Sequence, residues 1–183
     1  MSSIVDSDIE FQNSMVKIVA LGNLQAIGVA ETTIGPLEEG KEYEVRYWIA
    51  SELIKAGYAR FCEDVLLTFA SLNKIHWRET KLQTWRQISP LPEFFYPKLR
   101  RYMVELRQNA SRDAAFAGEY VQASRLARDI INCRLNKIVN LATFPPSENV
   151  LRSLSKEEQN LFDSVCTMVS EWESTIFKTE DSK

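Results

Sequence analysis

Residues 34–50 of the chain read IGPLEEGKEYEVRYWIA, and this stretch indicates how a β-rich part of the molecule turns and ends. Its first half is dense in Gly, Pro and Glu, a composition typical of a surface turn. Apolar and charged side chains then alternate over residues 42–47, which predicts a half-buried strand. A short helix from Trp48 to Ala56 is predicted next. Gly57 ends that helix, because glycine adopts the left-handed conformation of a helix end without strain.

Strand-like alternation also occurs on both sides of this stretch. It predicts strands at residues 16–20 and 25–29 before it, and a last strand at residues 58–61 after it. Beyond residue 61 the apolar spacing changes to that of helices. The sequence therefore predicts a small β-rich domain over residues 1–61, close to the lower size limit for a domain that folds alone.

Four amphipathic helices are predicted after the β-rich domain. The last begins with Ser155 and Glu158, a capping box in which each side chain bonds a backbone N–H that the first turn leaves unpaired. The other three are predicted at residues 62–85, from Pro92 onward and at residues 119–141. We therefore expect an α+β chain, with a four-helix domain over residues 62–178 and a disordered tail at residues 179–183.

The predicted helices carry more apolar surface than a single small core can cover. Apolar side chains recur along the last helix at the spacing of a buried face, and Phe94, Phe95 and Tyr96 stand in succession. An excess of this kind is typical of a partner interface. The residues predicted to form this interface are Phe95, Tyr96, Leu161, Phe162, Val165, Met168, Trp172 and Ile176.

Charge is distributed unevenly along the chain, whose net charge is −3. Residues 61–146 carry 13 basic and 8 acidic side chains, whereas both flanking segments are net acidic. Basic residues at helical spacing can track a phosphate backbone or an acidic partner surface. Trp77 and Trp85 could stack on bases, but packing explains them equally well. The residues predicted to make this contact are Lys74, Arg78, Lys81, Arg125 and Arg128, and Arg134 is placed near the same helical face.

The residue types needed for catalysis are scarce. The chain has one histidine, His76, and three widely spaced cysteines, so multi-histidine zinc sites and CxxC motifs are excluded. No glycine-rich phosphate loop, apolar run of 18 residues or secretory signal is found. We expect reduced thiols, a cytoplasmic location, no cofactor and no enzyme activity. An interaction module is favoured, and the alternative is a standalone nucleic-acid-binding protein that uses the basic helices.

Several stretches, taken in order, resemble the subunits of the GINS complex. Two of them are similar to the small β domain of that family, one to the proline-led start of a helix in its helical domain, and two to its last two helices. In that order they are residues 34–50, 53–59, 91–99, 134–142 and 154–158. The resemblance covers about residues 15–178, and the order and spacing of the motifs make it specific.

The resemblance implies a fold order, a set of partners and a location. GINS subunits contain one helical and one β domain, and this chain resembles the kind in which the β domain comes first. It implies an archaeal-type subunit that pairs with a helical-first subunit in a 2:2 tetramer and binds the MCM replicative helicase and a RecJ-like protein. It also implies a non-catalytic role in DNA replication, at the nucleoid in an archaeon or in the nucleus of a eukaryote.

Overall fold

A computed structural model describes residues 2–29, 32–63, 65–81, 84, 87–144 and 148–177. The chain divides into two compact units, one made mainly of residues 4–67 and the other of the residues from 68 onward. Trp85 and the predicted tail at residues 179–183 lie outside the described residues.

The first unit is built on a three-stranded antiparallel sheet with β1 in the centre, between β4 and β5. Alternate residues of β1 are buried, as its sequence predicts, and β2 and β3 form a separate antiparallel hairpin. The elements are α1 (Ser2–Asn13), β1 (Met15–Ala20), β2 (Ile27–Val29), β3 (Thr32–Ile34), β4 (Glu42–Arg46), α2 (Tyr47–Lys55) and β5 (Ala59–Phe61).

Three features of this unit differ from the sequence predictions. Tyr47 begins α2 instead of ending a strand, and β3 and α1 were not predicted. The side chain of Phe11 on α1 is buried, and its ring lies 4.4 Å from the ring of Tyr47. One aromatic contact therefore anchors a helix whose other residues are mostly polar. The prediction for Gly57 is confirmed, since its φ of +80° is left-handed.

Over the residues that the structure describes, the second unit contains four long helices, which confirms the α+β fold with a helical second part. The elements are α3 (Phe69–Lys81), α4 (Phe95–Arg112), a 3-10 turn (Ala114–Phe116), α5 (Ala117–Thr143), the short α6 (Glu148–Leu151) and α7 (Lys156–Phe177). Among the described residues, no helix has the length and apolar character needed to cross a membrane.

The first two of these helices begin later than predicted. The hydroxyl of Thr68 accepts a hydrogen bond from the backbone N–H of Ser71, so Thr68 caps α3 and residue 62 lies outside it. Pro92 does not begin α4, because Phe94 has a left-handed φ of +55° and interrupts the helical conformation before Phe95. The Thr68 cap and the left-handed backbone at Phe94 therefore set where α3 and α4 begin. The spacing of apolar residues in the sequence does not indicate either feature.

The contacts of α5 define how the neighbouring helices run. His76 lies beside Asp129 and Glu79 beside Lys137, so α3 and α5 are parallel. Further along, Arg134 contacts Glu158, and the Cys166 thiol lies 4.0 Å from the carbonyl oxygen of Ala142. Thus α7 is also parallel to α5 but displaced, and its second half continues past Thr143, where α5 ends.

Candidate functional site

A cluster of charged side chains lies in the interior of the helical unit, where the sequence predicts an apolar core. Arg134 on α5 is 1% exposed and donates hydrogen bonds to the carboxylates of Glu79 and Glu158. Its Nη1 also donates to the carbonyl oxygen of Ser89 at 2.7 Å. Arg134 therefore does not join the exposed basic face on which the sequence placed it.

Lys137 completes the cluster one helical turn further along α5. Its Nζ donates to Oε1 of Glu79 at 2.6 Å, while the hydroxyl of Ser89 donates to Oε2 of Glu79 at 2.8 Å. Burial favours the protonated acid. The hydrogen bond from Lys137 and the charge of Arg134 outweigh it and hold the pKa of Glu79 below its ordinary value. Glu79 is therefore a carboxylate, and the two cations balance two anions.

Glu158 connects this cluster to the start of α7. The backbone N–H of Glu158 donates to the Ser155 hydroxyl, and Oε2 of Glu158 accepts from the backbone N–H of Ser155 at 2.9 Å. The predicted capping box is thus confirmed. The Tyr96 hydroxyl donates to Oε1 of Glu158 at 2.7 Å. Burial and the Glu158 carboxylate raise the pKa of Tyr96, so that its phenol stays protonated.

The chemistry of this cluster is structural. Its two carboxylates each bond cations and hydroxyl or backbone donors, which leaves neither of them poised to exchange a proton with a substrate. What the cluster does is hold α3, α4, α5 and α7 in one register. The sequence carried a signal for it, since Arg134 and Lys137 stand among the apolar residues Ile130, Ile138 and Leu141 on the buried side of α5.

The apolar stripe of α7 divides into a packed part and an exposed part. Phe162 packs against a buried cluster that includes Ile138 and Leu141. In contrast, the side chain of Met168 is 68% exposed and that of Trp172 is 65% exposed. Leu161, Ile176 and Phe177 are also exposed, and Val165 is half-buried. The stripe is therefore not a buried face of this chain over its second half, because α5 does not reach so far.

The structure separates Phe95 and Tyr96 from this stripe. Phe95 is 2% exposed and its ring meets that of Tyr96 edge-on, with 5.2 Å between the centroids. Tyr96 is half-buried and bonded to Glu158. Phe95 therefore belongs to the core of the helical unit, and its predicted place on an accessible interface is corrected.

The predicted basic residues are exposed on two neighbouring helices. Lys74, Arg78 and Lys81 lie on the outer side of α3, opposite the buried Leu72 and Ile75. Arg125 and Arg128 are exposed on α5. His76 lies between the two helices, with its Nε2 3.7 Å from Oδ2 of Asp129. The five predicted residues are thus at the surface of adjacent elements.

Trp77 is exposed among these cations. Its side chain is 57% exposed, and the Nζ of Lys81 lies 3.8 Å from the centroid of its ring. Trp77 therefore does not have the packing role that the sequence left open. Its ring makes a cation–π contact at the surface instead.

In the part of the chain that the structure describes, no group of three or more His, Cys, Asp or Glu side chains could hold a metal ion. Cys62, Cys133 and Cys166 are free thiols. Burial and the nearby Asp163 raise the pKa of the Cys166 thiol, which disfavours the reactive thiolate.

The helical unit is similar to a known protein family. Residues 66–177 match the family model of the GINS complex protein helical bundle domain, and the matched stretch contains all four long helices. It makes up more than half of the chain. None of the curated proteins compared with the chain matches it. The match to the helical bundle, together with the β-rich unit that precedes it, shows that this chain belongs to the GINS family of DNA replication complex subunits.

Proposed function

We propose that this chain is a non-catalytic GINS subunit that serves as a scaffold and accessory factor of the MCM replicative helicase at the replication fork. The observation that carries this proposal is the exposed second half of α7. In a family whose members work in multi-subunit complexes, such a surface is where a neighbouring subunit binds.

The size of the exposed surface of α7 is evidence that it binds a partner. Residues 168–177 span about 15 Å at 1.5 Å per residue, beyond the end of α5. Three large apolar side chains on it, Met168, Trp172 and Ile176, are each more than half exposed. Covering apolar area of this kind is favourable by about 25 cal/mol per Å². The predicted interface residues Leu161, Phe162 and Val165 continue the same stripe toward the packed part of the helix.

The charge of α7 indicates what the partner surface carries. Glu171 and Glu173 are exposed beside the stripe, Asp163 is exposed on the opposite side of α7, and residues 157–177 include no Lys or Arg. We therefore expect a helix with an apolar stripe flanked by basic residues, since opposite charges guide docking and its register. The partner that we propose is a GINS subunit with its helical domain first, in a 2:2 tetramer of archaeal type.

The mechanism requires binding energy and no bond chemistry. The subunit would hold the helicase in an active arrangement through its interfaces, with the ionic cluster keeping the helices in register. MCM and a RecJ-like protein are the further partners that we propose. The place of action would be the nucleoid in an archaeon or the nucleus in a eukaryote. The alternative of a standalone nucleic-acid-binding protein is not supported by the family match over residues 66–177.

Assembly tests the proposal directly. The chain co-expressed with a helical-first GINS subunit should give a tetramer of defined mass in size-exclusion chromatography with light scattering. Trp172→Asp should reduce assembly, because it places a charge in the stripe. Ser170→Asp adds the same charge on the opposite side of α7 and should assemble normally. A monodisperse monomer that ignores such a subunit would refute the proposed assembly.

The helicase role has a separate test. The assembled complex should stimulate DNA unwinding by MCM, and the Trp172→Asp variant should stimulate it less in proportion to its lost assembly. A tetramer that forms normally and leaves unwinding unchanged would remove the accessory role while leaving membership of the complex intact.

A further inference from the structure

The charged side chains exposed on the outer side of α3 are all positive. Lys74, Arg78 and Lys81 are exposed there at intervals of one helical turn. Glu79 is the acidic residue of this helix, and it is buried against Arg134 and Lys137. The cations on the outer side therefore have no acid of their own helix to pair with at the surface. We refer to Lys74, Trp77, Arg78 and Lys81 as the α3 cationic face.

Trp77 gives this face an aromatic platform. More than half of its side chain is exposed, and Lys81 lies over the ring. A ring has two sides, and one cation occupies one of them. An exposed indole among Lys and Arg is the combination that binds an unpaired nucleic-acid strand, because a base stacks on the ring while the cations meet the phosphates.

Arg125 extends the positive surface onto α5. The contact between His76 and Asp129 places the middle of α3 beside this part of α5. Arg125 lies one helical turn before Asp129 and is exposed. A strand that crosses α3 at Trp77 can therefore meet a further cation on the neighbouring helix.

We propose that the α3 cationic face, with Arg125, binds single-stranded nucleic acid, with one base stacked on Trp77 and phosphates paired with Lys74, Arg78 and Arg125. A duplex keeps its bases inside the helix and so cannot use the ring in this way. This contact goes beyond the scaffold role, which depends on protein interfaces. Membership of a DNA replication complex supplies the ligand, since replication exposes single strands. The acidic second half of α7, which also exposes a tryptophan, would repel the same ligand.

The test is binding of the full chain, in the assembly in which it purifies, to a fluorescently labelled oligothymidylate of about 16 nucleotides, the upper end of common site sizes. Anisotropy at low salt should show binding that weakens as salt rises, with the slope set by the number of phosphates contacted. Trp77→Ala should weaken binding about tenfold, and Trp77→Phe should recover part of the loss because it restores an aromatic face.

Charge reversal provides a matched pair of variants. Arg78→Glu should weaken binding and make the salt slope shallower by about 0.7, as one phosphate contact is lost. Arg152→Glu makes the same change of charge at another exposed position of the helical unit and should bind like the wild type. A duplex of the same length should bind less tightly and be indifferent to Trp77→Ala.

Four results would overturn the proposal. They are no binding at low salt, equal binding by Trp77→Ala and the wild type, equal loss in both charge reversals, and loss of the tetramer in Trp77→Ala. The last result would assign the face to a protein partner with an acidic surface. Light scattering on the wild type and on every variant distinguishes this outcome from a chain that never assembles. Failure of the wild type to assemble would count against the proposed function, whereas binding of the oligonucleotide could still be measured and compared among the variants.

Discussion

The two halves of α7 share one apolar spacing and have opposite surroundings. In the first half, Glu158 is buried against Arg134, and Phe162 packs on the apolar cluster under α5. In the second half, Met168 and Trp172 are exposed. The difference arises in another helix, because α5 ends at Thr143. A stripe on one helix therefore defines an apolar face, and the length of its neighbour decides how much of that face is core.

The largest effect should come from breaking the ionic part of the packed half. Arg134→Ala leaves the carboxylates of Glu79 and Glu158 buried without their shared cation, and such a loss costs about 3–5 kcal/mol. Urea unfolding followed by circular dichroism should show the decrease. Arg128→Ala removes an exposed arginine from the same helix and should change the free energy of unfolding by less than about 0.5 kcal/mol. Equal effects of the two substitutions would contradict the interior role of Arg134.

Two truncations compare the halves of the stripe directly. Phe162→Ala should lower the free energy of unfolding by about 2 kcal/mol, less than a fully buried Phe would cost, because part of its ring is exposed. Trp172→Ala removes a larger side chain and should cost less than about 0.5 kcal/mol in the isolated chain. Both are measured by urea unfolding of the chain purified without a partner subunit. A larger loss for Trp172 than for Phe162 would show that the second half of α7 is packed in this chain.

A smaller effect is expected at the start of the packed half. Ser155→Ala removes the hydroxyl that accepts from the backbone N–H of Glu158 and should cost about 1 kcal/mol. Ser155→Thr keeps an accepting hydroxyl and should recover most of this loss in the same thermal or urea unfolding measurement. If Ser155→Ala unfolds like the wild type, the cap does not contribute to the stability of α7.

Acid should weaken the ionic cluster, and with it the stability of the helical unit, through Glu79. The folded chain holds the pKa of Glu79 below its ordinary value of 4.5. The stability that it contributes is therefore present above pH 4.5 and is lost as the pH falls through the lower, folded-state pKa. Urea unfolding between pH 7 and pH 3 should show this decline in the wild type and a shallower decline in Glu79→Gln. Equal slopes for the two proteins would contradict the assigned pairing with Lys137 and Arg134.

Much of the fold could be predicted because its signals are local. The alternation in β1, the left-handed Gly57 and the capping box of Ser155 and Glu158 each depend on residues close in sequence. Helix starts were missed where a single side chain decides them, as with the Thr68 cap. Helix α1 was missed because its anchor, Phe11 against Tyr47, joins residues far apart in the chain.

Which candidate residues lie at the surface could be predicted only in part. Apolar stripes and basic residues are visible in a sequence, and Trp172, Lys74 and Arg78 are exposed, while their contacts with a partner stay predictions. Whether Phe95 faces inward, or Arg134 is a surface cation, depends on contacts between helices. Arg134 meets Glu79 across 55 residues of sequence, and no periodicity within α5 reports such a partner.

Glu158 also constrains how the bundle can change by mutation. Its carboxylate caps α7 and neutralises Arg134 at the same time. A leucine at this position would suit an apolar core but would leave the backbone N–H of Ser155 without its acceptor. A glutamine would keep the cap but leave Arg134 with one counter-charge fewer. Either substitution at this site therefore gives a less stable protein, so exchanging the ionic interior for an apolar one requires coordinated changes on the three helices α3, α5 and α7.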